Sequence, residues 1–173
     1  MDSVKNKSLK FKSFIYEEEN HYTLPTLSVP RSIRETYSLY KDIDKTKYNL
    51  TLIGDGKEKN NLSNQINYLN LQKNVKLLGF KENVYPYLKN SDLLINPSYF
   101  EGFPNVVIEA LSCGIPVICS KSHGGIYEIL KNQKYGDLFE NGNADDLKIK
   151  IINFLKNTKR LNNKSIRGQR DLD

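Results

Sequence analysis

Short, unbroken apolar runs alternate along this chain with stretches of helical period, and that rhythm constrains the fold more than any other feature. "YNLTLIG" (48–54), "NVKLLGF" (74–80), "DLLINPS" (92–98) and "IPVICS" (115–120) read as strands. Residues 57–70 read as a polar helix with Leu62, Ile66 and Leu69 on its inner stripe. Residues 83–91 form a short helical turn interrupted by Pro86, and 104–114 and 125–132 read as helices. A short strand falls within 135–141, and 144–161 reads as a helix with Leu147, Ile151, Phe154 and Leu155 inward. Strands that are apolar throughout are covered on both faces, so the expected class is α/β, a parallel sheet with helices on both sides.

Toward the N-terminus the pattern weakens. Residues 32–45 have a helical stripe of Ile33, Tyr37 and Tyr40, and Leu27–Val29 is strand-like. Residues 1–26 are expected to be irregular, with a strand at Phe11–Tyr16 ahead of the acidic "EEEN". The tail 162–173 is expected to fray. At 173 residues the chain suits one core domain, placed at 27–161, and is too short for two.

In parallel sheets of this kind, ligands sit at the carboxyl ends of the strands. Here those ends carry "GDG", "GFK", "PSYFEGFP" and "SKSHGG". The net charge of +6 suits a phosphate-bearing ligand, nucleic acid or an anionic membrane surface. The lysines are spread singly, and no stacking motif or zinc-finger pattern accompanies them, so nucleic acid is not expected as a partner. No apolar stretch approaches the ~20 residues that span a bilayer, and the first residues lack an apolar signal core. Cytoplasm is the expected location. Cys113 falls in a helix and Cys119 in a strand, which favours buried free thiols over a disulfide or a metal site.

The densest stretch is "SYFEGFPNVVIEALSCGIPVICS" (98–120), where Glu101 and Glu109 frame a Gly-Phe-Pro turn. Pro104 suits the first helical position, where a missing N–H is no loss. The amides of Asn105 and Val106 would then be free to hold a phosphate, aided by the positive end of the helix dipole. Gly102 allows close approach of the backbone to a ligand. Glu109 would lie about 7–8 Å along the helix axis, roughly the reach from a phosphate to a ribose. Glu101 would lie on the other side of the phosphate position. Three readings stand: a ligand grip, a loop acid with a solvent-facing helical acid, and a paired-carboxylate glycosidase. An acid between Ile108 and Ala110 in an otherwise apolar helix favours the first.

The same residues carry a family resemblance. "PSYFEGFPNVVIEALSCGIPVICSKSHGGIYEIL" (97–130) resembles the signature of group 1 (family 4) glycosyltransferases of the GT-B fold, and "LTLIGDG", "VKLLGF" and "SDLLINPS" stand in that family's order. The resemblance covers residues 48 to 157 and implies the C-terminal, Rossmann-like donor domain. It implies a nucleotide-sugar donor such as a UDP- or GDP-sugar, retaining transfer, and no metal or other cofactor. It also implies roles. Glu101 would be the residue of catalysis, on the donor sugar hydroxyls. Gly102, Phe103, Asn105 and Val106 would hold the sugar and distal phosphate through their amides. Glu109 would bind the ribose, Phe80 would lie along the base, and Gly54 and Gly56 would shape the loop beside the nucleotide. Apart from the resemblance, Gly124 and Gly125 read as a tight strand-to-helix turn, and His123 beside them as a surface loop residue.

The chain also departs from the family. Pro30 stands where a glycine belongs, Arg31 is the one candidate for the diphosphate-clamping arginine, and no lysine follows at the family's offset. The stretch from Arg31 to Gly54 is short for the family, which implies a shortened first βα unit. Residues 1–26 cannot supply an acceptor domain. The expectation is thus a truncated or split glycosyltransferase whose partner is a separate acceptor-domain chain, with peripheral membrane association permitted by its charge. The alternative is a non-catalytic remnant acting as a binding module.

Overall fold

The computed structural model of the chain describes residues 9–14, 48–55, 59–99, 102–131 and 133–156. Among these, six strands form one sheet: β1 (Leu9–Phe14), β2 (Tyr48–Ile53), β3 (Val75–Leu77), β4 (Leu93–Asn96), β5 (Val117–Ser120) and β6 (Asp137–Phe139). The order is β3-β2-β1-β4-β5-β6, and every neighbouring pair is parallel. The connecting helices are α1 (Lys59–Tyr68), α2 (Tyr85–Lys89), α3 (Asn105–Ser112), α4 (Ile126–Ile129) and α5 (Ala144–Lys156). This is the expected Rossmann-like α/β class.

Both faces of β4 and β5 are buried because residues alternate between them. Leu94 of β4 packs with Val106, Val107, Ala110 and Leu111 of α3, together with Val117 and Cys119 of β5. Leu93 and Ile95, on the opposite face, join Ile118, Phe139 and the α5 residues Leu147, Ile151 and Phe154. A third cluster seats α1 through Leu62 and Ile66 on Leu50, Leu52 and Val75. Each fully buried Leu, Ile or Phe contributes roughly 1.5–3 kcal/mol relative to exposure.

One sequence expectation is corrected. Leu9–Phe14 is a strand, close to the one expected at Phe11–Tyr16, but it lies at the centre of the sheet rather than in a segment outside the domain. Leu9 pairs with Tyr48 and Phe14 with Ile53 on one side, while Phe11 pairs with Leu93 and Ser13 with Ile95 on the other. The opening position assigned to Leu27–Val29 is therefore filled by an earlier segment. Residues 15–47, with Arg31, the strand-like Leu27–Val29 and the expected helix 32–45, lie outside the described residues and fall within the crossover from β1 to β2. Smaller differences concern ends. Helix α4 is only four residues long, since the chain turns at Lys131 and Gln133, both with positive φ. Pro104 is the N-cap of α3 rather than its first residue.

Candidate functional site at the carboxyl edge of the sheet

Because all strand pairs are parallel, every strand opens its C-terminal end at one edge. The strand order reverses between β1 and β4, which is where such sheets leave a crevice. The loop after β4 runs to the start of α3 at this reversal. Beyond Phe100 and Glu101, which lie outside the described residues, Gly102 and Phe103 are exposed. Asn105 is exposed too, and a Cβ on Gly102 would meet nothing within 4 Å.

Helix α3 starts with the N–H of Val107 donating to the carbonyl of Pro104 at 3.0 Å. Among the described residues the amides of Asn105 and Val106 have no recorded partner. They are the free donors that a helix start leaves. The side chain of Val106 is buried in the core, so only its amide can serve a ligand. Asn105 and Glu109 are four apart and share one face of α3, beside the buried face of Val106, Val107, Ala110 and Leu111. Glu109 is half-buried, and desolvation raises its carboxyl pKa above the ordinary value.

The neighbouring loops add a second group. Gly54, at φ 138°, donates from its N–H to the carbonyl of Gly79 at 3.0 Å, tying the end of β2 to the end of β3. Phe80 follows and is 60% exposed. Lys59 pairs with Asp55 at 3.0 Å beside this turn. Loops after β2 and β4 are separated by β1 alone, about 10 Å at two strand spacings. The structure thus brings Gly54 and Phe80 to the same edge as Gly102, Phe103, Asn105, Val106 and Glu109. Glu101, Gly56 and Arg31 lie outside the described residues.

The loop after β4 is pinned from the β5–β6 side of the sheet, which the sequence did not reveal. The hydroxyl of Ser120 donates to the carbonyl of Ser98, and the N–H of Gly125 donates to the carbonyl of Gly102 at 2.9 Å. The side-chain amide of Asn141 donates to the carbonyl of Tyr99 at 3.0 Å. Gly125 is needed for space. A Cβ there would lie 2.6 Å from Phe103 Cδ2, whereas Gly124, at φ 119°, supplies the turn. Lys121, at the end of β5, hydrogen-bonds Glu140, and that bond raises its pKa. His123 is exposed, Cys119 is buried, and Cys113 is only partly so. No described helix is long and apolar enough to cross a membrane.

The family of group 1 glycosyl transferases matches residues 29–171. An uncharacterized glycosyltransferase of Methanocaldococcus jannaschii is 49% identical over 81 residues, covering 47% of this chain and 20% of that protein. The N-acetylgalactosamine-N,N'-diacetylbacillosaminyl-diphospho-undecaprenol 4-alpha-N-acetylgalactosaminyltransferase of Campylobacter jejuni is 37% identical over 103 residues, covering 60% of this chain and 28% of that protein. The chain therefore spans well under half the length of these curated relatives. Among solved structures, Anabaena HepE in complex with UDP and glucose superposes with a TM-score of 0.76 at 23% identity, over 94% of this chain and 42% of that one. The C-terminal domain of a glycosyl transferase group 1 family protein from Francisella tularensis gives a TM-score of 0.72 at 17% identity, covering 93% and 82%. At these identities the structural likeness speaks to the fold.

Proposed function

The chain belongs to the group 1 glycosyl transferases, and from that premise we propose that it holds a nucleotide-sugar donor and forms the donor side of a retaining glycosyl transfer. One observation carries the proposal: the start of α3 is open, its Asn105 and Val106 amides have no partner among the described residues, and Glu109 is half-buried one turn further along the same face. The diphosphate sits on those amides. The helix dipole and the fixed N–H groups stabilise the charge that grows on it as the glycosidic bond breaks, without a metal ion. Glu109 accepts hydrogen bonds from the ribose diol. Phe80 and the Gly54 turn border the base. Glu101, the covalent neighbour of Gly102, contacts the hydroxyls of the transferred sugar.

The acceptor is bound by protein outside this domain. The undecaprenol-linked acceptor named for the Campylobacter relative makes a lipid diphosphate, and with it peripheral association with a membrane, the acceptor class to test first. UDP-sugars are the first donors to try, since UDP accompanies the Anabaena structure. Calorimetric titration with UDP- and GDP-sugars checks the donor role. Wild type is expected to bind at least one of them, and Glu109→Ala to bind it about tenfold or more weakly. A wild type that binds none removes the donor role, and equal binding by both proteins removes the role of Glu109.

A further inference from the structure

We propose that Asn141, on the turn between β6 and α5, is a positioning residue that holds the β4–α3 loop in its sugar-binding shape. The proposal rests on the donor reading of that loop and extends it to a residue 42 positions away from its partner, Tyr99.

Two contacts join the same two segments. The Asn141 side-chain amide donates to the carbonyl of Tyr99, and the hydroxyl of Tyr99 lies against Gly142, where an added Cβ would come within 2.8 Å of it. Glycine at 142 leaves the room that the Tyr99 ring occupies. The turn carrying Asn141 is itself fixed. The N–H of Asn143 donates to the carbonyl of Glu140 at 3.0 Å, and the N–H of Glu140 donates to the carboxylate of Asp146 at 2.7 Å. Asn143 caps α5 by accepting the N–H of Asp146 at 3.0 Å. A rigid path thus runs from the first turn of α5, through Asn141, to the backbone of the donor loop.

The amide oxygen of Asn141 is buried and has no partner among the described residues. An unpaired buried acceptor is unfavourable, and native structures retain few of them. The reverse orientation of the amide would set this oxygen against the carbonyl of Tyr99, so donation to Tyr99 fixes which way the group points. With Ser120 on Ser98 and Gly125 on Gly102, the carbonyls on both flanks of Phe100 and Glu101 are turned toward the body of the domain. Preorganisation of this kind favours the ligand group that meets the loop, the sugar, over the part of the nucleotide that meets β2 and β3.

The test uses the full chain and the variants Asn141→Ala and Asn141→Asp, the second nearly isosteric but unable to donate when ionised. In the unliganded protein, amide hydrogen exchange at Gly125, whose N–H is bonded to Gly102, is expected to quicken about tenfold in both variants with the thermal midpoint little changed. Calorimetry is expected to show UDP-sugar affinity falling about tenfold and UDP affinity about threefold or less. For Asn141→Asp the loss is expected to shrink as pH is lowered and the carboxyl regains a proton to donate. Unchanged exchange at Gly125 in both variants overturns the clamp, whether or not any ligand binds. Equal losses for UDP and UDP-sugar, accompanied by a lower midpoint, reduce Asn141 to a structural residue. A wild type that binds neither UDP- nor GDP-sugars sinks the donor reading, and exchange at Gly125 still decides the clamp.

Discussion

Glu109 shows how a single side chain can be set against the stability of its own fold. Burial raises its pKa, so the folded chain holds the proton more tightly than the unfolded chain does. The stability contributed by the protonated form is complete below the ordinary carboxylate pKa and is lost as pH rises through the raised one. Glu109→Gln should therefore melt slightly higher than wild type at neutral pH, by up to about 2 °C, with the gap closing below about pH 4. Circular dichroism melts at several pH values check this. The same substitution should weaken nucleotide-sugar binding. Donor affinity of the wild type should also fall with pH at a less acidic point than an ordinary glutamate would give, and this slope should vanish in the variant. The sequence pointed to Glu109 because it interrupts an apolar helix. It could not point to Asn141, whose partner lies far along the chain.

At the scale of elements, the strands buried on both faces were legible because they are continuous apolar runs. Leu93–Asn96 and Val117–Ser120 are buried along their whole length. What periodicity did not convey is how closely neighbouring segments approach. Gly136, entering β6, shows this. A Cβ there would lie 2.5 Å from Val117 Cγ2, 3.0 Å from the Val117 carbonyl and 3.1 Å from Leu130 Cδ2. The Val117 atoms belong to a buried strand and the Leu130 side chain is fully buried, so they cannot simply swing aside. Gly136→Ala should destabilise the domain by about 1–3 kcal/mol in urea unfolding, with the slope against denaturant unchanged. Loss of less than a few tenths of a kcal/mol would mean that β5 and β6 are looser than they look. Helix α4 was expected to be longer than it is, because its stripe continues past the point where Lys131 adopts a positive φ.

The whole molecule depends on a strand that lies ahead of the family match at 29–171. Leu9–Phe14 separates β2 from β4 and pairs with both. A chain beginning at residue 27, the boundary suggested by the sequence, would leave two unpaired strand edges in the middle of the sheet. Each backbone hydrogen bond lost removes about 0.5–1.5 kcal/mol, and a domain has only about 5–15 kcal/mol in all. Such a chain should lose cooperative thermal unfolding, whereas the full chain should melt in one transition. A sharp transition in the shortened protein would show that β1 is dispensable. The central position of this strand was hard to assign because "LKFKSF" alternates lysine with apolar residues, a pattern that reads as one-sided exposure.

The chain's own residue order determined the fold class and drew attention to the loops at the strand ends and to the residues around Pro104. These follow from patterns within a few turns or strands, where side-chain period and backbone chemistry act locally. Tertiary structure alone decided that the segment at 9–14 fills the centre of the sheet and that Asn141, Ser120 and Gly125 hydrogen-bond the loop after β4. Those outcomes depend on which distant groups meet once the layers pack, and no local period encodes that meeting.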